Sequence, residues 1–342
     1  MELRPLGRTG VSVSKLCLGA MMFGAWGNPD HDDSIRIIHH ALDAGITFID
    51  TADVYSQGES EVIVGKALAG GKRDNIVLAT KVWGQMGDDP NQRGVSRRWI
   101  VQEVENSLRR LNTDWIDLYQ IHRYEPDTDI EETLGALTDH VRQGKVRSIG
   151  SSTFPPSAIV EAQWTARDRG LQRYVTEQPP YSMLARGVEA EVLPTCAKYG
   201  MGVIPWSPLS GGWLTGRYRK DAEAPAPASA ARRRLAERYD LSLPANQRKL
   251  DAADQLARLA DEAGIPLIQL AIAFVANHPA VTAPIIGPRT MEQLESQLPA
   301  ADVVLDQALL DRIDEIVRPG VNLNPADTSY GEQVLEPPLR RR

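Results

Sequence analysis

The sequence predicts an α/β protein, a single-domain (β/α)8 TIM barrel spanning residues 1–342. Short apolar segments alternate with amphipathic segments along most of the chain, which is the pattern of parallel strands covered by helices. Eight candidate strands are each followed by helical sequence, the number that a closed barrel needs. A chain of 342 residues is also within the range of one barrel with insertions.

The eight strands are predicted from apolar runs rich in Val, Ile, Leu and aromatic residues. The first helix shows how the intervening helices are recognised. Asp32, Asp33 and Ser34 offer N-caps before its apolar positions, and Gly45 follows as a C-terminal glycine. The strand candidates are residues 15–20, 46–50, 75–81, 116–122, 146–152, 174–179, 202–206 and 281–287.

Three segments lie outside the alternating pattern. Residues 1–15 contain a Gly-Arg-Thr-Gly turn and predict an N-terminal hairpin that caps the bottom of the barrel. Residues 219–246, after the seventh strand, are rich in Ala, Pro and charge, which predicts a long loop. A helix near the C-terminus is followed by a tail over 318–342.

Composition narrows the range of partners. The formal net charge of -7 gives no electrostatic reason to bind nucleic acid or an anionic membrane. No run reaches the roughly 18 apolar residues of a membrane span. Cys17 and Cys196 are the only cysteines, which argues against a disulfide framework and predicts a cytoplasmic protein. No metal is expected, because His39 and His40 lie on an amphipathic helix and no His-x-His pair ends a strand.

Four polar side chains follow consecutive predicted strands. They are Asp50, Tyr55, Lys81 and His122, and the C-terminal ends of barrel strands meet at one mouth. Each alone also suits a structural role, so the prediction depends on the set. A nearby ammonium lowers the pKa of a phenol, a carboxylate holds a buried lysine ionised, and an imidazole can orient a carbonyl oxygen. The set predicts catalysis by proton donation to a carbonyl oxygen.

Further polar residues end the later strands: Ser151 and Ser152, then Glu177 and Gln178, then Trp206 and Ser207. Glu177 leaves open a different class of enzyme, a barrel hydrolase that uses paired carboxylates or a metal.

Seven stretches together resemble the aldo-keto reductase family, in family order from residue 1 to about residue 317. The resemblance implies NADPH-dependent reduction of an aldehyde or ketone, with the tetrad on Asp50, Tyr55, Lys81 and His122. NADH is the less favoured cofactor. The matching stretches are residues 48–68, 76–81, 117–123, 144–152, 176–183, 202–218 and 284–298.

The resemblance also implies cofactor contacts. Ser152 and Gln178 match residues that bind the nicotinamide carboxamide, Trp206 matches an aromatic that stacks on the ring, and Arg289 is the candidate for gripping a 2'-phosphate. The full implied set is Met21, Asp50, Ser152, Thr153, Gln178, Trp206, Ser207, Pro208, Leu209, Gly211, Arg217, Gly287, Arg289, Gln293 and Gln297.

The sequence departs from the family pattern at three points. Thr153 stands where the family usually has Asn, which puts one carboxamide contact in question. Ser296 and Gln297 stand where Glu and Asn are common. No helix-opening Gly-x-Gly-x-x-Gly follows a strand, so a Rossmann dehydrogenase is disfavoured.

The opening segment and the long loop resemble the branch that includes bacterial general reductases and potassium-channel beta subunits. A cofactor-binding regulatory subunit is therefore the alternative function. The resemblance implies that beta subunits have Asn at the position of His122, so the histidine favours an enzyme. Met21, Trp83, Tyr124 and Trp213 are candidate pocket walls from their position. They suggest a fairly hydrophobic aldehyde, ketone or keto-sugar as the small-molecule substrate. The sequence leaves open whether the protein is a monomer or a homo-oligomer.

Overall fold

The computed structural model of the protein describes residues 1–221 and 235–328. Its sheets consist of an N-terminal hairpin and eight parallel strands. The hairpin strands are β1 (Leu3–Pro5) and β2 (Ser12–Ser14). The parallel strands are β3 (Cys17–Gly19), β4 (Phe48–Asp50), β5 (Val77–Val82), β6 (Ile116–Ile121), β7 (Val146–Ser152), β8 (Tyr174–Gln178), β9 (Gly202–Val203) and β10 (Ile285–Ile286).

The eight strands form a barrel in chain order. Strand β10 pairs with β3, and β3 to β9 then follow one another as parallel neighbours. The last gap is closed by a parallel bridge between Val203 and Val281 and by the Ile285 amide, which donates to the Pro205 carbonyl at 2.8 Å. Each predicted strand segment contains an observed strand, so the predicted (β/α)8 barrel is confirmed.

Helices cover the outside of the barrel. The N-cap of helix α1 lies two to four residues before the predicted caps, because Asp30 accepts from the Asp33 amide at 3.0 Å. Asp32 and Asp33 therefore lie in the first turn, where negative charge suits the helix dipole. The helices are α1 (His31–Asp43), α2 (Glu59–Ala67), α3 (Arg97–Leu111), α4 (Ile130–Arg142), α5 (Pro156–Arg169), α6 (Val192–Tyr199), α7 (Pro244–Ala263), α8 (Leu267–Ala276), α9 (Met291–Gln297) and α10 (Gln307–Ile316).

The hairpin closes the end of the barrel where the strands begin. Leu6 and Val13 are buried in one cluster with side chains of the barrel interior, among them Phe48. Gly7 has a φ of 58°, and a Cβ there would lie 2.7 Å from the amide nitrogen of Gly202. Only glycine permits this approach. The predicted capping hairpin is therefore confirmed, and it leaves the opposite end of the barrel for the site.

The structure differs from the predicted bounds of the long loop and the tail. Residues 222–234 and 329–342 lie outside the described residues. Helix α7 begins at Pro244, inside the loop predicted over 219–246, because proline is well suited to a first helical turn.

The beginning of the predicted tail also packs onto the barrel. Asn324 donates from Nδ2 to Asn246 Oδ1 at 2.8 Å, and Asp327 pairs with the buried Lys249 ammonium at 2.8 Å. A buried ammonium needs such a partner. That residues 1–342 make a single domain stays a prediction.

Within 1–221 and 235–328, no single helix is long and apolar enough to cross a membrane. Only α7 and α8 taken together, with a bend of 96° between them, satisfy the length and composition test.

The close contact of α2 with α3 gives a stability prediction. A Cβ on Gly65 would lie 2.6 Å from the backbone oxygen of Leu111, which a rigid helix cannot move away. We expect Gly65→Ala to lower the free energy of unfolding by about 1–3 kcal/mol, although alanine is the better helix former.

Gly135 in α4 is the matched control, because a Cβ there would meet only the flexible guanidinium of Arg97 at 2.7 Å. Gly135→Ala should raise stability by up to about 1 kcal/mol. Urea denaturation measures both changes. Equal effects of the two substitutions would contradict the packing argument.

Candidate active site

A buried lysine lies at the centre of the polar cluster at the barrel mouth. Lys81, on β5, donates from Nζ to Asp50 Oδ2 at 2.6 Å, to the Thr51 carbonyl at 2.9 Å and to Tyr55 Oη at 3.1 Å. Its side chain is fully buried. The three acceptors use all three ammonium protons, so these hydrogen bonds offset the cost of removing the charged group from water.

The loop after β4 places Tyr55 over this lysine. Tyr55 begins a 3-10 turn, Tyr55–Gly58, in which Ser56 and Gln57 have φ angles of 49° and 56°. Non-glycine residues adopt this left-handed region only at a cost, and such strain clusters at functional sites. The turn leaves the Tyr55 side chain 9% exposed. Its ring meets His122 edge-on, with centroids 5.6 Å apart and planes at 81°.

The second oxygen of Asp50 is fixed by two amides. Gln120 and Gln178 donate from their Nε2 atoms to Asp50 Oδ1 at 3.0 and 2.9 Å. The sequence analysis missed Gln120. A signal was present, because Gln120 lies two residues before His122 on β6, and alternate residues of a strand face the same side. Gln120 also lies opposite Lys81 in the register of β5 and β6.

The protonation states follow from burial and neighbouring charge. Burial raises the pKa of Tyr55 and outweighs the opposing effect of Lys81, so the expectation that the ammonium lowers this pKa overall is wrong. Burial disfavours the Lys81 cation, but Asp50 and Tyr55 more than offset it and raise its pKa. Burial, with Arg123 and Lys81, holds the pKa of His122 well below its usual range, so the imidazole is neutral near pH 7.

The ends of β7, β8 and β9 bring together residues expected to bind nicotinamide. Ser152 donates from Oγ to the Gln178 carbonyl at 2.9 Å, and Trp206 donates from Nε1 to Thr153 Oγ1 at 3.3 Å. Thr153 has a φ of 57°. For a β-branched residue this is a clear outlier.

The segment after β9 makes a tight loop at the mouth. Ser207, Ser210 and Gly211 have φ angles of 57°, 49° and 64°, and the Gly211 carbonyl accepts from Tyr239 Oη at 3.1 Å. The other expected residues in this loop differ in exposure: Pro208 is buried, Leu209 half-buried and Arg217 exposed.

Residues expected near the adenosine lie after β10. Arg289 donates from its amide to Gln293 Oε1 at 2.8 Å, and Gln297 is 5% exposed. A Cβ on Gly287 would meet nothing within 4 Å. Met21, which follows β3, is 41% exposed.

Two of the four expected pocket walls share a cavity, whereas Met21 and Trp213 do not line it. Trp83 and Tyr124 line a cavity of about 340 Å³ that also includes Glu125, and Trp83 donates from Nε1 to Glu125 Oε2 at 3.1 Å. Asn91, Arg93 and Asp127 also line this cavity, and none of the four tetrad residues does.

Trp213 has a packing role, contrary to the expectation of a pocket wall. It is 1% exposed and stacks on Tyr218 with centroids 3.9 Å apart. Its ring lies 4.5 Å from the Lys249 ammonium, and its Nε1 donates to the Arg238 carbonyl at 3.1 Å. The chain after β9 turns inward here, so the ring packs against protein side chains and its Nε1 has a hydrogen-bond acceptor inside the protein.

Comparison with known proteins agrees with this geometry. Residues 15–318 match the model of the aldo/keto reductase family. A Bacillus subtilis protein named uncharacterized oxidoreductase YrpG is 42% identical, over 92% of this chain and 96% of its own length. A probable voltage-gated potassium channel subunit beta of Arabidopsis thaliana is 37% identical (93% and 97%), and the versiconal hemiacetal acetate reductase of Aspergillus parasiticus is 34% identical (92% and 96%).

The chain therefore belongs to the aldo/keto reductase family and is an NAD(P)H-dependent oxidoreductase. The residues at the mouth fit a nicotinamide dinucleotide. Among the described residues, Ser210 Oγ and Gln297 Oε1 are buried polar atoms without a hydrogen-bond partner, and the space beside Gly287 is open. In the same part of the chain, no group of three or more His, Cys, Asp or Glu side chains could hold a metal ion.

Proposed function

We propose that the protein reduces an aldehyde or ketone to the alcohol with NADPH, and that Tyr55 donates the proton. The observation that carries the proposal is the chain of contacts from Asp50 to Lys81 at 2.6 Å and from Lys81 to Tyr55 at 3.1 Å. It gives a phenol beside an anchored ammonium at the mouth of a barrel of this family.

The raised pKa of Tyr55 suits a proton donor. Burial keeps the phenol protonated near pH 7, so its proton is available to a carbonyl oxygen. As that proton leaves, Lys81 stabilises the phenolate that remains, because the ammonium already lies at hydrogen-bond distance. The neutral His122 can donate to the same carbonyl oxygen without adding a repelling charge beside Lys81.

The nicotinamide, when bound, supplies the hydride that reaches the carbonyl carbon. We assign Ser152, Thr153, Gln178, Asp50 and Met21 to its binding site. The Nε2 atom of Gln178 already contacts Asp50 at 2.9 Å, so its oxygen is the end assigned to the carboxamide.

Positive charge near Trp206 supports an anionic cofactor at the mouth. The guanidinium carbons of Arg123 and Arg238 lie 5.8 and 6.0 Å from the centroid of its ring. We assign this ring to stacking on the nicotinamide.

We assign the diphosphate to the loop after β9 and the adenosine phosphate to the segment after β10. These residues are Ser207, Pro208, Leu209, Gly211 and Arg217, and then Gly287, Arg289, Gln293 and Gln297.

For the substrate, we assign Trp83 and Tyr124 to the wall of the carbonyl pocket. None of the four tetrad residues lines the cavity that these two side chains share, so the proposed substrate is an aldehyde, a ketone or a keto-sugar without a narrower choice among them. Cys17 and Cys196 are free thiols, which suits the cytoplasmic location that we propose.

A regulatory cofactor-binding subunit is the second candidate, because three relatives carry the name of a channel beta subunit. His122 in edge contact with Tyr55 favours the enzyme. NADPH binding without oxidation across a panel of aldehydes, ketones and keto-sugars would favour the subunit.

The same panel tests Tyr55. We expect Tyr55→Phe to lower kcat by at least about a hundredfold, since only the proton donor is lost, while the Kd for NADPH measured by fluorescence titration changes little. Tyr181→Phe is the control, because that phenol contacts Glu189 at 2.6 Å away from the tetrad. Turnover retained in Tyr55→Phe would refute the assignment of the donor.

Arg289 tests the coenzyme preference. A guanidinium that grips the 2'-phosphate makes charge-assisted contacts, so Arg289→Ala should weaken NADPH by about tenfold or more and NADH by much less. Kd values for both cofactors measure the difference. Arg217→Ala, on the loop assigned to the diphosphate common to both, should weaken both alike. An equal loss of NADPH and NADH in Arg289→Ala would show that the 2'-phosphate is bound elsewhere.

A further inference from the structure

A buried carboxyl group lies behind the nicotinamide-side residues without belonging to the tetrad. Glu177, on β8, is fully buried. It accepts at Oε2 from Ser151 Oγ at 2.5 Å and at Oε1 from the Phe154 amide at 3.1 Å. The Thr153 amide donates to the Gln178 carbonyl of the same strand at 3.2 Å. The carboxyl group thus binds one residue at the end of β7 and one in the turn that follows, on either side of Ser152 and Thr153.

That turn is strained at the residue that contacts Trp206. Thr153 has a φ of 57°, where a β-branched residue is held only if its surroundings force it. Its Oγ1 accepts from Trp206 Nε1 at 3.3 Å. A carboxyl group that holds the Ser151 hydroxyl and the Phe154 amide, on either side of Thr153, supplies such a constraint.

We propose that Glu177 is a positioning residue, whose ionised carboxylate holds the turn at Thr153 in the conformation that binds the nicotinamide end of the cofactor. The inference rests on the proposed function, because it concerns the affinity of that site for NADPH. It assigns to Glu177 neither proton transfer nor contact with substrate, in contrast to a catalytic carboxylate of a hydrolase.

The charge state of Glu177 changes near neutral pH. Burial raises its pKa to about 7, opposed by the Ser151 contact, by the backbone at Phe154 and Thr153 and by Arg123. The other titratable groups that face it are Tyr174 on β8 and Cys196 on α6, whose own pKa values are raised by burial and by Glu177. Both therefore stay neutral over this range, and only Glu177 changes charge.

Glu177→Gln tests the role of the charge because glutamine has the shape and hydrogen-bonding capacity of the protonated acid. Hydrogen bonds to a charged acceptor are the stronger ones, so the Kd for NADPH of the variant should exceed that of the wild type by about fivefold at pH 8.5. At pH 6 the two proteins should bind alike, because there the wild-type group is itself protonated. Fluorescence titration without a carbonyl substrate gives both ratios, and the matched pH removes titration of NADPH itself from the comparison.

Stability should change in the opposite sense. A carboxyl group whose folded pKa is raised contributes stability that is present below its unfolded pKa and lost as pH rises through the folded value. Glutamine does not undergo this loss, so at pH 8.5 the Tm of Glu177→Gln should equal or exceed that of the wild type while its NADPH binding is weaker. A merely structural glutamate would lose both together.

Thr153→Asn supplies the second arm. Asparagine tolerates the left-handed region, so in its background Glu177→Gln should weaken NADPH by less than about twofold at pH 8.5. Glu103→Gln is the control for loss of a buried carboxylate. Glu103 is fully buried on α3 and is bound by Arg110 and Asn106, and this substitution should leave the Kd for NADPH unchanged.

Four outcomes would overturn the inference. At pH 8.5 Glu177→Gln could bind NADPH as tightly as the wild type, or Glu103→Gln could raise the Kd as much as Glu177→Gln does. The ratio of the Kd values with and without Glu177→Gln could also be the same at both pH values, or the same with Thr153 and with Asn at position 153. If Glu177→Gln does not fold, Glu177→Asp replaces it, since its shorter side chain keeps the charge but cannot reach both Ser151 and Phe154. Unchanged binding by Glu177→Asp overturns the inference. A wild-type protein that does not bind NADPH overturns the proposed function as well, which separates the two failures.

Discussion

The site depends on one constraint, a lysine cation that is buried among barrel strands and must be fully satisfied there. Lys81 has a side chain with no exposed surface, and it reaches a carboxylate, a backbone carbonyl and a phenol within 3.1 Å. An unpaired charge in this position would cost several kcal/mol. Asp50 must therefore stay oriented toward Lys81, which requires Gln120 and Gln178, and the loop after β4 must return Tyr55 to the mouth despite the strain at Ser56 and Gln57.

The same principle recurs where loops join the barrel. Lys249, on α7, is buried against both Asp327 and the ring of Trp213, which ties the segment after residue 318 to the loop that contains Gly211. On the other side, Arg110 binds Glu61 and Glu103 and fixes α2 against α3, directly after the turn of Tyr55. Buried ion pairs contribute little net stability, but they penalise any arrangement that separates them. In this protein the Lys249 pair holds irregular segments at the mouth in one conformation, and the Arg110 pairs hold α2 and α3 together on the outside of the barrel.

Much of the fold followed from the sequence because strand and helix periodicity is local. The strands from β3 to β10 and the hairpin were predictable from apolar runs and turn residues. The site followed in part, since Asp50, Lys81 and His122 end strands whose C-terminal ends must meet. What could not be predicted depends on tertiary burial. The burial of Trp213 against Lys249 and the raised pKa of Tyr55 both arise from neighbours distant in sequence. Burial changed the sign of the pKa expectation because desolvation outweighed a favourable charge at 3.1 Å.

The central claim is that Lys81 and Tyr55 act as a unit in proton donation. The most direct measurement is a double-mutant cycle on kcat with Lys81→Met, Tyr55→Phe and both together, using a carbonyl substrate at saturating NADPH. Residues that act as a unit are strongly non-additive. The account predicts that the double variant is no slower than the slower single variant. Losses that multiply in the double variant would contradict it, because they would mean that the ammonium and the phenol act independently.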